Sequence, residues 1–274
     1  MDTAKKQELA KVAAKIRLGA LEAVYSANSG HPGGSLSIAD ILAYLYFDKM
    51  NIDPKDPKKA DRDRFVLSKG HTCPAVYAAL ANRGYFSTDL LKTFRHSDSI
   101  LQGHPDMKHI PGIDMSTGSL GLGISAACGM AKSAKISGDS YRVYSIMGDG
   151  ELEEGQCWEA AMFAAHYGLN NLCVFVDFNG LQIDGDITKV MNPTPIDKKF
   201  EAFGWNVIVI NGHDFDEIEA AASAADKSDK PTAVICKCIK GKGVSFMENE
   251  AAWHGSVPNA EQYEQAVAEL KAAL

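Results

Sequence analysis

The chain has 274 residues, 46% of them apolar, and a formal charge of −7, enough length to bury a full core as one large domain or two small ones. Its charges are scattered, which excludes the clustered lysine and arginine surface of a nucleic-acid binder, and no stretch has the apolar length needed to cross a bilayer. The opening residues Met1 to Lys6 lack the apolar core of a secretory signal, and the six cysteines, mostly in apolar segments and without a CxxC pair, read as buried reduced thiols, so a cytoplasmic protein is expected.

Leu9, Val12, Ile16, Ala20 and Val24 recur near helical spacing and predict a helix over residues 3–27, ended at Asn28-Ser29-Gly30. His31-Pro32-Gly33-Gly34 then reads as a loop, with Ser35 or Ser37 capping a helix from Ile38 to Phe47. After a charged, proline-bearing connection, Phe65-Val66-Leu67 predicts a strand running into Ser68-Lys69-Gly70-His71. Helices are expected over Pro74 to Ala81 and Thr88 to Phe94. Residues 96–121 show no period and carry several glycines and histidines. A loop of that length in a compact domain is usually functional or disordered, and this composition favours function.

A helix from Ile124 to about Ser137 follows, then an apolar strand, Val143 to Met147, a helix from Gln156 to Tyr167, and a second strand, Leu172 to Val176. Strands over Asn206 to Ile210 and Thr232 to Ile239 flank a helix from Asp214 to Ala225, and Asn259 to Leu274 reads as a capped amphipathic helix. Strand and helix alternate from about residue 64. The expected fold is therefore α/β, a doubly wound, mainly parallel sheet with helices on both faces. It forms a single domain over residues 1–274, with a helical segment before the sheet and a helix after it. No repeat or linker interrupts it.

In such sheets ligands sit beyond the carboxyl ends of the strands. Two turns stand there: Gly148-Asp149-Gly150-Glu151-Leu152-Glu153-Glu154-Gly155, and Asp177-Phe178-Asn179-Gly180 after the neighbouring strand. Asp149 offers a carboxylate, Asn179 an amide oxygen and Leu181 a backbone carbonyl. That is a fitting set for a hard cation, which takes oxygens and is completed by phosphate and water. Gly148 and Gly150 let backbone N–H groups approach a phosphate. Ordinary capping explains a lone Gly-Asp-Gly turn, but not its pairing with Asp-x-Asn thirty positions on. Glu151, Glu153 and Glu154 suit the positive end of a helix, and at most one or two of them can face a diphosphate. Four of eight histidines, His31, His71, His104 and His254, lie in glycine- or proline-marked turns, where neutral imidazoles can bind phosphate or hydroxyl oxygens and move protons. His96, His109, His166 and His213 lack that setting and read as structural or surface residues.

Six stretches, in order and spanning nearly the whole chain, resemble the amino-terminal, diphosphate-binding part of transketolase, a thiamine diphosphate enzyme. They are Ser29 to Gly34, Ser68 to His71, Gly103-His104-Pro105, Gly118-Ser119-Leu120-Gly121, the Gly148 to Asn179 unit, and Trp253-His254-Gly255. The resemblance implies that Asp149, Asn179 and the Leu181 carbonyl bind Mg²⁺, with Ca²⁺ or Mn²⁺ as substitutes, and that Gly150, His71 and His254 contact the diphosphate. It implies that Gly118 and Leu120 pack on the thiamine rings, that His254 also lies near the reacting carbon, and that His31 and His104 bind the sugar's terminal hydroxyl and help move protons. Glu154 and Glu159 match glutamates near the subunit interface, Glu154 being counted with the cofactor contacts. Leu122 stands where many members have glutamine, so contacts from that side chain are in doubt.

The implied reaction moves a two-carbon ketol unit from a ketose phosphate to an aldose phosphate, as in the pentose phosphate pathway, with the cofactor as electron sink. The family's pyrimidine-binding domain, with its activating glutamate and sugar-phosphate-binding side chains, has no room here. The expectation is one subunit of a split transketolase, or a fragment, partnered by a carboxyl-terminal subunit in a two-plus-two heterotetramer and inactive alone. Alternatives are a transketolase for an unusual sugar, a 2-oxo acid dehydrogenase component or a 1-deoxyxylulose-phosphate synthase relative. The latter two share the metal motif but do not usually combine the Ser-Gly-His-Pro-Gly-Gly, Gly-His-Pro and Trp-His-Gly elements. A dinucleotide-binding module is disfavoured because Gly-x-Gly-x-x-Gly does not follow the first strand. A non-catalytic paralogue is disfavoured by the retention of all four turn histidines.

Overall fold

Asp2 accepts a hydrogen bond from the Lys5 amide and so starts helix α1, Thr3–Ser26. The computed structural model describes residues 1–274. Two short helices follow, α2 (Pro32–Leu36) and α3 (Ala39–Tyr44), the second running into a wider π-helical turn over Leu45–Lys49. His31-Pro32-Gly33-Gly34 is therefore the entry to a helix and not a loop, because Pro32 at the first helical position needs no N–H partner. Neither serine caps α3. Ser35 Oγ turns back to donate to the His31 carbonyl, and Ser37 Oγ donates to Asp177 across the molecule.

The sheet and its helices follow as β1 (Arg64–Leu67), α4 (Cys73–Arg83), α5 (Leu122–Ser137), β2 (Val143–Gly148), α6 (Gly155–His166) and β3 (Leu172–Phe178). A two-residue hairpin, β4 (Leu181–Gln182) and β5 (Gly185–Asp186), precedes α7 (Ile187–Val190) and α8 (Ile196–Ala202). Then come β6 (Asn206–Asn211), α9 (Phe215–Lys227), β7 (Thr232–Lys237) and α10 (Ala260–Lys271), the last begun by a reciprocal capping box of Asn259 and Gln262. The hairpin, α7 and α8 are not legible in the sequence. Thr88–Thr93 is a 3₁₀ turn and not an α-helix, and residues 96–121 are irregular as expected.

Five strands form one parallel sheet in the order β1-β2-β3-β7-β6. Alternation along the strands sorts the core into two layers. Phe65, Leu67, Tyr144, Ile146, Phe175 and Val234 pack with α1, α3, α4 and α9, whereas Val66, Met147, Val174, Val176 and Ile235 pack with α5, α6 and α8. Helices thus cover both faces, which is why the strands read as continuous apolar runs. All six cysteines are buried and unpaired. No helix is long and apolar enough to cross a membrane.

A separate small cluster, Leu21, Leu36, Val244, Met247, Ala266 and Leu270, fastens α10 and the segment after β7 against α1 and α2. It brings Trp253 and His254, distant in sequence, onto the His31 turn.

Candidate active site

The parallel register leaves the carboxyl ends of β1, β2, β3 and β7 along one edge, and a cavity of about 170 Å³ lies there, room for several waters or a diphosphate. Asp149 follows β2 and is almost fully buried. Its Oδ1 accepts from the Gly150 amide (2.8 Å) and its Oδ2 from the Gly180 amide (2.6 Å). Gly180 reaches it by a positive φ of 77°, a conformation that side chains disfavour. Asn179 Oδ1 accepts from the Leu181 amide, fixing the second turn, while its Nδ2 donates to Asp177. Burial, and then the nearby Asp177 carboxylate, push the Asp149 carboxyl up to about 6.

Two lysines share this pocket. Lys69 donates to the Gly34 carbonyl (2.9 Å) and pairs with Asp177. Burial raises the Asp177 carboxyl, but Lys69 and the Ser37 hydroxyl outweigh that and hold it below the usual range. Lys240, 2% exposed, donates to the Leu181 carbonyl (3.1 Å) and to His254 Nδ1 (3.1 Å). An ammonium only donates, so Nδ1 is the acceptor and the neutral His254 carries its proton on Nε2. Burial, and then Lys69, lower the Lys240 ammonium to about 8. The backbone comes close here because Gly33 has no Cβ, which would meet the Trp253 carbonyl at 2.8 Å and the Lys240 stem at 3.1 Å.

His31, His71 and His254 form a triangle with ring centroids 4.9–5.4 Å apart. Burial is the main reason that they titrate low, at about 4, 2 and 3. Arg95 for His31, Lys69 for His71 and Lys240 for His254 add to it. All three are neutral at pH 7, able to donate from one ring nitrogen and accept at the other. His104 stands farther out, its backbone carbonyl held by the Tyr77 hydroxyl. Burial and Arg95 lower its pKa as well. Gly118 lies flat against it, since a Cβ there would sit 3.5 Å from the ring.

Of the residues singled out in the sequence, His71, Leu120, Asp149, Gly150, Asn179, Leu181 and His254 line the cavity, and His31 packs on two of them. His104 and Gly118 form a pair beyond it. Glu154 is exposed at the start of α6, and Glu159 is exposed two positions past Cys157 on the same helix, neither lining the cavity. Glu151 is the one carboxylate of its run that lines the cavity. It accepts from Ser68 Oγ (2.5 Å), Gly121 N (2.9 Å) and Gly148 N (3.0 Å), tying together the ends of β1 and β2 and the loop before α5. His213 is structural. Its Nδ1 lies 2.7 Å from Asp40, which also pairs with Arg17, and its Nε2 accepts from the Ile239 amide, fixing the chain just before Lys240. Sequence reasoning misses Lys240 as a site residue. The clue is a lysine beside Gly241, three positions past the last strand.

Residues 8–273 match the family described as the thiamine diphosphate binding domain of transketolase. The chain belongs to the transketolase family. It is 48% identical over 258 residues to the 6-deoxy-6-sulfo-D-fructose transketolase subunit SqwG of Clostridium sp. (strain MSTE9), covering 93% of this chain and 94% of that one. With one of the subunits of the apulose-4-phosphate transketolase of Phocaeicola vulgatus it is 44% identical, covering 93% and 91%. Human transketolase is 41% identical over 98% of this chain, which spans only 43% of that protein. The transketolase structure from Campylobacter jejuni superposes with a TM-score of 0.91 at 33% identity, and the chain again spans 43% of its length. These matches make it a transketolase subunit, one part of a ketol-transferring enzyme, and they set aside the dinucleotide-binding alternative.

The site fits the family's cofactor on its own features. It holds a carboxylate raised by burial and then by a second carboxylate, an Asp177 Oδ1 and a His31 Nδ1 that are buried without partners, and two ammonium groups facing the same small cavity. No group of three or more His, Cys, Asp or Glu side chains is placed to hold a metal ion by itself.

Proposed function

We propose that this chain is the amino-terminal subunit of a split transketolase that binds the diphosphate and divalent ion of thiamine diphosphate. The observation carrying this reading is the convergence of Asp149, Asn179 and the Leu181 carbonyl with Lys69 and Lys240 on one cavity. When bound, thiamine diphosphate supplies the electron sink that a ketol transfer requires. Asp149, Asn179 and the Leu181 carbonyl would hold Mg²⁺, with Ca²⁺ or Mn²⁺ as substitutes. Gly150 and Lys240 would hold the diphosphate, and Leu120 would pack against the rings. His71 and His254 stand ready as neutral donors to phosphate oxygens. His31 and His104 would bind the sugar's hydroxyl groups and move protons between them, since imidazoles neutral at pH 7 can accept a proton as well as give one.

The partner is a carboxyl-terminal, pyrimidine-binding subunit, in a two-plus-two assembly. Exposed Leu122, Met162, Phe163 and Tyr167, near Glu154 and Glu159 at one face of α5 and α6, support a subunit contact there. The substrate is a ketose outside the pentose phosphate series. The relatives covered almost end to end are named for 6-deoxy-6-sulfo-D-fructose and apulose 4-phosphate, so support moves from the pentose phosphate reading to the unusual-sugar one. The test is ketol transfer by the chain, by its co-purified partner and by both, across a donor panel including those two sugars and xylulose 5-phosphate. Activity only in the mixture, highest with an unusual ketose, is expected. Robust transfer by the chain alone overturns the split reading, and preference for xylulose 5-phosphate overturns the substrate assignment.

A further inference from the structure

Lys240 is a buried cation with no carboxylate bonded to it. Its ammonium is satisfied by a carbonyl and an imidazole, while Lys69 next to it takes the Asp177 carboxylate. A buried charge without an anionic partner is costly unless a partner arrives. The stem cannot easily leave. It packs on Gly33, and its backbone is fixed by bonds from Asn249 N to the Lys240 carbonyl, from Gly241 N to the Gly33 carbonyl and from Ile239 N to His213. The head, however, needs to move only a short way to exchange one acceptor for another.

The acceptor that it holds is the one proposed above for the divalent ion. The Leu181 carbonyl has two lone pairs, but an ammonium on one sets a positive charge beside any ion on the other, so the ion gains the full strength of its third protein oxygen only when the ammonium moves off. A diphosphate entering the cavity offers the ammonium a charged acceptor, which binds it more strongly than a neutral carbonyl does. We infer that Lys240 is an ordering latch: its ammonium occupies the Leu181 carbonyl and His254 Nδ1 until a diphosphate draws it away, so the site takes ion and diphosphate together and rejects the bare ion. The same movement frees His254 Nδ1, coupling the imidazole's hydrogen bonding to cofactor loading. This inference rests on the assignment of Asp149, Asn179 and Leu181 as the ion's ligands.

Calorimetric titration of the full chain with MgCl₂ alone, and with inorganic pyrophosphate in the presence of MgCl₂, separates the two ideas. The wild type should bind Mg²⁺ weakly alone and well with pyrophosphate. Lys240→Met should bind Mg²⁺ alone about tenfold more tightly and magnesium pyrophosphate at least about tenfold more weakly, the worth of a hydrogen bond to a charged group. Equal weakening of both, as a merely structural lysine would give, overturns the latch. Asp149→Asn is the control for the site. If it leaves magnesium pyrophosphate binding intact, the ligand assignment itself fails, whereas its loss together with equal weakening in Lys240→Met sinks only the latch. Should Lys240→Met not fold, ¹⁵N imidazole spectra of the wild type decide. The His254 Nδ1 signal should hold still on adding MgCl₂ and shift on adding pyrophosphate with it, and an equal shift with MgCl₂ alone overturns the inference.

Discussion

At the strand end of the cavity, Asp149 accepts from two amides, Lys69 is held by Asp177 and Gly34, and Glu151 accepts three hydrogen bonds. At the imidazole end, three rings touch mainly one another, His31 Nδ1 is buried without a partner, and His104 stands out on an irregular stretch. The first region is preorganised by the sheet, whose register fixes where each turn starts. The second relies on loops brought together by packing, with donors and acceptors still to be engaged. The contrast supports the proposal that this chain holds the ion and the diphosphate and contributes only part of the sugar's surroundings.

The largest effect should come from the strand end. Asp149→Ala is expected to weaken Mg²⁺-dependent thiamine diphosphate binding by ~100-fold or more, because removing one member of a buried charged contact costs about 3–5 kcal/mol. Unchanged affinity in calorimetry would remove Asp149 as a ligand and dissolve the contrast. His104→Asn should act on the other region alone. In the complex with its partner, kcat/KM should fall ~100-fold, the usual worth of a proton-transferring group, while cofactor affinity stays within about twofold. A parallel loss of affinity would show that the two ends are not separable.

Glu151→Gln replaces one acceptor oxygen with a donor amide facing buried N–H groups. Chemical denaturation should show a loss of about 1–3 kcal/mol, since a buried donor is left unsatisfied. The mildest test concerns pH. His31, His71 and His254 bind protons more weakly in the folded chain, at about 4, 2 and 3, than in the unfolded chain, near 6.5. The unfolded state therefore binds more protons below pH 6.5, so stability falls as pH drops from there toward the folded values. Each histidine contributes up to about 1.4 kcal/mol per pH unit. His71→Asn should flatten the slope of unfolding free energy between pH 6 and 5 by about one proton, and an unaltered slope would mean that His71 is not buried neutral.

Much of the frame is legible in the sequence. Five apolar runs become the five sheet strands; β1, β2, β3 and β7 are apolar because they are covered on both faces, whereas β6 stands at the sheet edge with only Ile210 buried. Asp149 and Asn179 can be placed at neighbouring strand ends because one helix of crossover length separates them. The Pro32 turn reads as a loop although it opens a helix, since a helix of five residues leaves too short a pattern for periodicity to register. The hairpin at Leu181 escapes notice for the same reason. Glu151, Glu153 and Glu154 are indistinguishable in sequence, and only the fold chooses Glu151, by bringing Ser68, Gly121 and Gly148 around it.

The sequence by itself determined the sheet, the strand-end oxygens and the identities of the turn histidines, all of which depend on local pattern and spacing. Only the tertiary structure decided that His254 would meet His31 and His71, and that Lys240 would stand on the Leu181 carbonyl. Those contacts join residues more than fifty positions apart. They exist because a small apolar cluster, Leu21, Leu36, Val244, Met247, Ala266 and Leu270, packs the final helix and the segment before it against the first helices. Such packing is shape complementarity between distant surfaces, which no local pattern in the chain records.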